Sequence, residues 1–291
     1  MDRNETGAGA RPPHIFDRRR RRLARARGAK RFAAHDFLHR RVMADIIDRL
    51  ETVTRNFPRA LFIGAGDLAD MATPACGIGD IIHMDASPAR LGPAGMRIAA
   101  EEDELPIEPA SLDLIVSILT LHSVNDVLGA LIQARQALKP DGLFLAAVFA
   151  EGTLQHFRKR LQQAEIDQTG ALSARFAPLA AIQDYGQALS RAGFALPVTD
   201  IDIVDVQYKD PRKLVGDLRG MGETGALASR PAPLRRETAA AALAGFANAG
   251  GSETFSIAYL TGWAPAASQP KPLKPGSASA SLEDAVKKFQ A

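Results

Sequence analysis

The sequence predicts an α/β fold: a doubly wound, mostly parallel sheet with helices on both faces and an antiparallel edge strand. Three observations carry this reading. Apolar runs that stop at turn residues alternate with helical patterns, and alternating βα units imply parallel strands crossed over by helices. The first run, Leu61-Phe62-Ile63, ends in Gly64-Ala65-Gly66, and Asp85 closes the second run 21 positions after Gly64. In a doubly wound sheet such a glycine turn lets a ligand approach the backbone, and an acid about 20 residues on can accept both hydroxyls of a ribose. Last, a β pair near the C-terminus encloses a helical insert, which suits an antiparallel strand at the edge of a mixed sheet.

The elements follow in order. Residues 1–35 form a basic arm, in which Ile15-Phe16 anchors and Asp17 caps a helix rich in arginine. Phe37, Leu38, Val42, Ile46, Ile47 and Leu50 recur at helical spacing and make 36–51 an amphipathic helix. Strand one covers about 60–63, and Asp67–Met71 makes one or two helical turns before Pro74. Strand two covers about 81–84, and the proline- and glycine-broken stretch 87–95 predicts an irregular link to a short strand at 96–100. Leu112–Ser117 reads as a buried strand. Asn125 or Asp126 then caps a helix over 127–138, Lys139-Pro140-Asp141-Gly142 reads as a turn, and 143–149 as the fifth strand. Helices are expected at 153–168 and 178–192, with Gly193 at the end of the second. Strands are expected around 201–208 and 254–263, enclosing a helical insert at 211–249. The main domain is thus 36–263. A Pro/Ala/Ser-rich tail, 264–291, ends in a short helix over 282–289.

Composition narrows the function classes. A hydrophobic fraction of 46% fills a globular core. No run reaches the length of a membrane span, and no apolar segment after the start marks a secretory signal. The expected location is therefore the cytoplasm. Cys76 is the single cysteine, which excludes an internal disulfide and gives no zinc spacing. Residues 1–31 carry a net charge of +8 and the rest −5. The arm can therefore meet nucleic acid, anionic lipid, an acidic protein or the chain's own acidic face. Nucleic acid is the weaker alternative, because no aromatic or second basic patch follows.

Leu61–Gly66, Asp85, Glu101–Ile107, Leu112–Ser117 and Leu138–Gly142 together resemble the successive motifs of class I S-adenosylmethionine-dependent methyltransferases, whose sheet is Rossmann-like. Ile15–Arg18, Leu121–Asp126 and Asp217–Glu223 further resemble the arginine-hydroxylase-type assembly factors of respiratory complex I. The chain is also similar to malonyl-carrier-protein methyltransferases. The resemblance implies S-adenosylmethionine as cofactor, a protein substrate, a complex I subunit, whose arginine is modified, and the mitochondrial matrix as location if the chain is eukaryotic. It places Gly64 and Gly66 against the methionine part of the cofactor, Asp85 and Ala86 at the ribose, and Glu101 and Glu102 at the adenine. Leu121–Asp126 would line the substrate side, with His122 as candidate general base against the plainer reading of a histidine bonded to a loop carbonyl. Hydroxylation calls for a metal or another oxygen-activating group, and no His/carboxylate cluster at ligand spacing is present.

The motif departs from the pattern at Phe62, where an acid is usual, and at Leu68, where a third glycine is usual. Two further readings follow: a non-catalytic assembly chaperone with an eroded cofactor site, and an O-methyltransferase acting on a small molecule or carrier protein.

Overall fold

Strands with apolar side chains on both faces belong in the middle of a parallel sheet. Phe57–Ile63 (β1) and Leu112–Ile118 (β4) are of this kind and lie side by side at its centre. A computed structural model describes residues 14–72, 76–92 and 95–270; the tail helix expected at 282–289 lies outside them. Among the described residues a seven-stranded sheet runs β3-β2-β1-β4-β5-β7-β6. Its other strands are Ile78–Asp85 (β2), Met96–Ala99 (β3), Leu138–Phe149 (β5), Ala195–Gln207 (β6) and Ser252–Trp263 (β7). Strands β1 to β5 pair in parallel, and β7 runs antiparallel to both β5 and β6. The antiparallel strand therefore sits one place in from the edge, and β6 is outermost.

Helices cover both faces. Arg18–Ala29 (α1) and Phe37–Glu51 (α2) precede β1. Val127–Ala137 (α3), Gln155–Thr169 (α4), Ile182–Arg191 (α5), Pro211–Met221 (α6) and Arg236–Asn248 (α7) follow β4. Alternation along β1 divides the core. Ala60 and Phe62 pack with Leu38, Val42 and Ile46 of α2 and with Leu214 of α6. Leu61 and Ile63 pack with Leu131 of α3 and Leu189 of α5 on the other face. Among the described residues, the chain makes short 3-10 turns after β1 and β2, Gly66–Met71 and Pro88–Arg90.

Two local expectations change, and one open choice is resolved. The stretch Lys139–Gly142 is not a free turn, because β5 begins at Leu138. Leu138 pairs with Leu112 and Leu143 with Leu114, so the extra residues bulge out of the strand, with Asp141 at φ 65°. The helix expected from Pro178 starts only at Ile182, where Asp184 reaches back to accept from the Ala181 N–H at 3.2 Å. Of the two candidate caps of α3, Asp126 takes the role, accepting from Gly129 N at 2.7 Å. Asn125 instead exchanges two hydrogen bonds with the backbone of Phe16.

Those two bonds help hold the basic segment against the body. Phe16 is buried and bridges Leu227, and Asp17 N donates to Ala226 O at 2.7 Å. At the other end of α1, Gly28 meets α6 backbone to backbone. A Cβ on Gly28 would stand 2.6 Å from Gly220 O and 2.8 Å from Arg219 O. Alanine raises helix propensity by about 1 kcal/mol, but overpacking against backbone costs about 1–3 kcal/mol. Gly28→Ala is therefore expected to lower stability in chemical denaturation, against the direction that propensity alone gives.

Candidate functional site

A helix places residues three and four apart on one face. Asp17 accepts from Arg20 N at 3.1 Å and so starts α1 in the register that puts Arg18, Arg21 and Arg25 together. That face meets the carboxyl ends of the central strands, where the strand order reverses between β1 and β4 and where open α/β sheets bind ligands. Arg25 is buried, and its Nε and Nη2 donate to the two carboxylate oxygens of Asp85 at 3.0 and 2.6 Å. Arg21, also buried, donates to both oxygens of Glu102 at 2.7 and 2.6 Å and to Glu101 at 2.9 Å. Its Nε donates to the Ser123 hydroxyl at 2.9 Å. Arg18 pairs with Asp103 at 2.8 Å and with Glu104. The acids that end β2 and follow β3 thus face a matching row of cations from the arm.

A second wall comes from the end of α6. Gly222 takes φ 88°, and Glu223 N donates to Leu218 O at 2.8 Å, which closes the helix in a left-handed cap. A Cβ at Gly222 would stand 2.9 Å from Arg25 Cα, so only glycine lets the two segments come this close. The cap turns Glu223 toward His122, whose Nε2 lies 3.0 Å from Glu223 Oε2. Arg25 Nη1 lies 3.9 Å from the other Glu223 oxygen. Asp85, Arg25, Glu223 and His122 therefore form one chain of alternating groups, buried except for the partly exposed Glu223. His122 packs edge-on against Phe149 with ring centroids 5.0 Å apart.

The electrostatics follow from this pairing. Burial would raise the carboxyl of Glu102, but the Arg21 charge and its two hydrogen bonds hold it down to about 2. Glu101 goes the other way: burial, opposed by Arg21 and reinforced by Glu102, pushes it up. Glu223 is held below the ordinary carboxylate range, because His122, Arg25 and Arg21 outweigh its burial. Arg90 is the exception among the buried cations. It lies over the Phe32 ring at 3.2 Å, and its guanidinium has no hydrogen-bond partner among the described residues. Burial, with Arg25 nearby, brings it down to about 9. His39, fully buried beside the same ring, is driven far below its usual value by burial and by Arg90.

Beside this chain lies a cavity of about 470 Å³. Its lining combines Phe149, Phe157 and Phe176 with Arg25, His122 and Glu223. Phe16 and Arg21 contribute as well, so the arm forms part of the wall.

The residues singled out in the sequence come together in two groups. Asp85, Ala86, Glu101 and Glu102 are all buried at the strand ends, with Gly64 and Gly66 nearby in the turn after β1. His122 stands apart from them, on the cavity, and its partner is the Glu223 carboxylate and not a loop carbonyl. Gly64 is needed at φ 76°, and its Cβ would meet Thr120 Cγ2 at 2.2 Å. Gly66 takes φ 55° beside Arg90 O. Phe62 and Leu68, the two departures, are buried in the core shared with α2, which accounts for their apolar character.

The acids do not fit an adenosyl group in this arrangement. Both oxygens of Asp85 and both of Glu102 already accept from arginines, and Asp85 Oδ1 also accepts from Ser87 N at 2.8 Å. The 470 Å³ cavity is lined by Arg21 and Arg25 but not by Asp85, Glu101, Gly64 or Gly66. Sequence reasoning singled out neither Arg21, Arg25 nor Glu223 individually. The opposite charges of arm and body were the signal for the first two, and the structure shows the arm docked on the chain's own acidic face. Glu223 was visible only as the end of Asp217–Glu223.

A family model described as a methyltransferase domain matches residues 63–146. The chain is 35% identical over 289 residues to the protein named arginine-hydroxylase NDUFAF5, mitochondrial, of Danio rerio, covering 94% of this chain and 90% of that protein. The Homo sapiens protein of the same name is 36% identical over 285 residues, with 92% and 82% covered. A malonyl-[acyl-carrier protein] O-methyltransferase of Gallionella capsiferriformans is 27% identical over 237 residues, with 74% and 78% covered. Among solved structures, the YcgJ protein from Bacillus subtilis shares the fold with a TM-score of 0.51 at 15% identity, covering 77% of this chain and 98% of that one.

Two expectations concern the arginine–acid row. Removing one partner of a buried pair leaves an uncompensated charge and costs about 3–5 kcal/mol. Asp85→Ala and Arg25→Ala should each show such a loss in denaturation midpoints. The double variant should lose clearly less than the sum, and additivity would mean that the pair is not coupled.

The second is a pH dependence. The folded value of Glu102, about 2, lies below its ordinary 4.5. Its contribution is therefore fully present above 4.5 and is lost as pH falls through about 2, on the order of 3 kcal/mol. Glu102→Gln should be less stable than wild type at pH 7 and should lose less stability between pH 7 and pH 3.

Proposed function

Because the chain belongs to the arginine-hydroxylase NDUFAF5 family of methyltransferase-fold proteins, we propose that it acts on an arginine side chain of a protein partner, a subunit of respiratory complex I during its assembly. The observation that carries the reading is the 470 Å³ cavity bounded by His122 and Glu223 at the ends of the central strands. Its chemistry suits a guanidinium on an aliphatic stem. Phe149, Phe157 and Phe176 offer apolar and π surface, and Glu223 offers a carboxylate held in its anionic form. His122 fixes that carboxylate through Nε2, while its Nδ1 is buried without a partner among the described residues. We assign His122 the task of orienting Glu223 and holding a proton beside the guest. We propose accordingly that it works in the bacterial cytoplasm, or in the mitochondrial matrix if the chain is eukaryotic.

The family implies S-adenosylmethionine chemistry, and the acids at the strand ends are its natural anchor points. No step is assigned to the cofactor, since those acids are engaged by Arg21 and Arg25. That same observation favours a second reading, an assembly chaperone that binds the arginine segment without modifying it.

Mass spectrometry of complex I subunits separates the two. In cells lacking the chain, a modified arginine should revert to its unmodified mass, and the wild-type chain should restore it. The mass added tells an oxygen from a methyl group. Restored assembly with no arginine modified supports the chaperone; no effect on either removes both readings. Glu223→Gln, checked for folding by thermal melt, should weaken capture of the partner roughly tenfold or more, because a charged hydrogen bond of about 1.5–3 kcal/mol is lost.

A further inference from the structure

We infer that α1 is an internal competitor for the nucleoside cleft: the chain takes up an adenosyl group only when Arg21 and Arg25 leave Asp85, Glu101 and Glu102. The inference goes beyond the proposed function, because it concerns the cleft and not the guest of the cavity. It begins from the disagreement between what the fold implies and what the residues do. The acid after β2 and the acids after β3 stand where a nucleoside would find its acceptors, yet five arginine hydrogen bonds already occupy both oxygens of Asp85, both of Glu102 and one of Glu101. A ribose diol and a guanidinium both need the same two oxygens of Asp85, so the two cannot be held at once. The guanidinium has the advantage of charge, of a fork that matches the carboxylate, and of being tethered to the same chain.

The fit is built and not incidental. α1 is held at its start by Phe16 on Leu227 and Asn125, at its middle by Gly222 against Arg25, and at its end by Gly28 against Gly220. These contacts belong to segments remote in sequence, which have no reason to converge on a helix that merely floats over the cleft.

The same docking completes the neighbouring cavity, since Phe16, Arg21 and Arg25 line it. The molecule therefore has two exclusive arrangements. With α1 docked, the cavity has its wall and the cleft is filled. With α1 lifted, the cleft is free and the cavity has lost that wall. Occupancy of one site opposes occupancy of the other, and the opposition is reciprocal.

The test uses the full chain. S-adenosylmethionine, S-adenosylhomocysteine and adenosine are titrated by calorimetry into wild type and into Arg21→Gln/Arg25→Gln, with hydrogen exchange of the α1 amides followed in parallel. Apparent affinity is reduced by the fraction of open molecules. The variant should therefore bind S-adenosylhomocysteine roughly tenfold or more tightly than wild type. Any ligand bound by wild type should speed exchange across residues 18–29. Binding to wild type with α1 equally or more protected overturns the inference, as does a folded double variant that binds no tighter. Should that variant fail to fold, Arg25→Lys replaces it, keeping the charge and losing the fork. If that variant does not outbind wild type, the inference is likewise overturned. Loss of partner capture in the Glu223→Gln experiment leaves this result untouched, so the two readings fail separately.

Discussion

Carboxylates gathered in a cleft of low dielectric must be neutralised, and here the neutralising charge is part of the same chain. Asp85, Glu101 and Glu102 converge because β2 and β3 end side by side at the carboxyl edge of the sheet. Left unpaired, each would be costly to bury in its ionised form. Arg21 and Arg25 meet them in forked, charge-assisted geometry. Docking the arm in turn organises what surrounds it. Phe16 is covered, the end of α6 is drawn in through Gly222, and Glu223 is turned onto His122. One wall of the cavity, formed by Phe16, Arg21 and Arg25, presupposes that the arm is in place.

This arrangement gives the two departures in the glycine motif a physical setting. An acid at position 62 would stand among the apolar side chains of the core shared with α2. Phe62 is almost fully buried there, and Leu68 packs into the same cluster. The shortened crossovers after β1 and β2 leave room for the arm instead of for full helices. One consequence is the position of Arg90, a buried cation resting on the face of Phe32 and kept near Arg25 without a hydrogen-bonded carboxylate among the described residues. The surroundings of the glycine turn are thus crowded with protein cations, where the fold would otherwise leave space for a ligand's polar end.

Another buried acid shows how the distal half of the domain is joined. Glu253 at the start of β7 is fully buried, and accepts from the backbone N–H groups of His156 and Phe157 at 3.2 and 2.7 Å. Those are orphan donors of the first turn of α4, where a negative charge is also favoured by the helix dipole. The bond ties α4 to the antiparallel strand, and with it the wall of the cavity that carries Phe157.

The sequence by itself determined the order of elements and the α/β class, because apolar periodicity, glycine turns and capping acids are local signals. It also placed Gly64, Asp85, Glu101 and Glu102 at strand ends, since the spacing of a glycine turn and an acid reflects one βαβ unit. The bulge at Lys139–Gly142 was not legible, for a Pro-Asp-Gly run reads as a turn until its neighbours in β4 are known to pair on both sides of it. The partners of the acids were not legible either. The opposite net charges of arm and body predicted attraction, but not which arginine meets which carboxylate across 60 to 81 residues of chain. Only tertiary structure joins Glu223 to His122, 101 residues apart. Side-chain pairing across such distances depends on where helices cross the sheet, and that is set by packing, whose information is spread over the whole core.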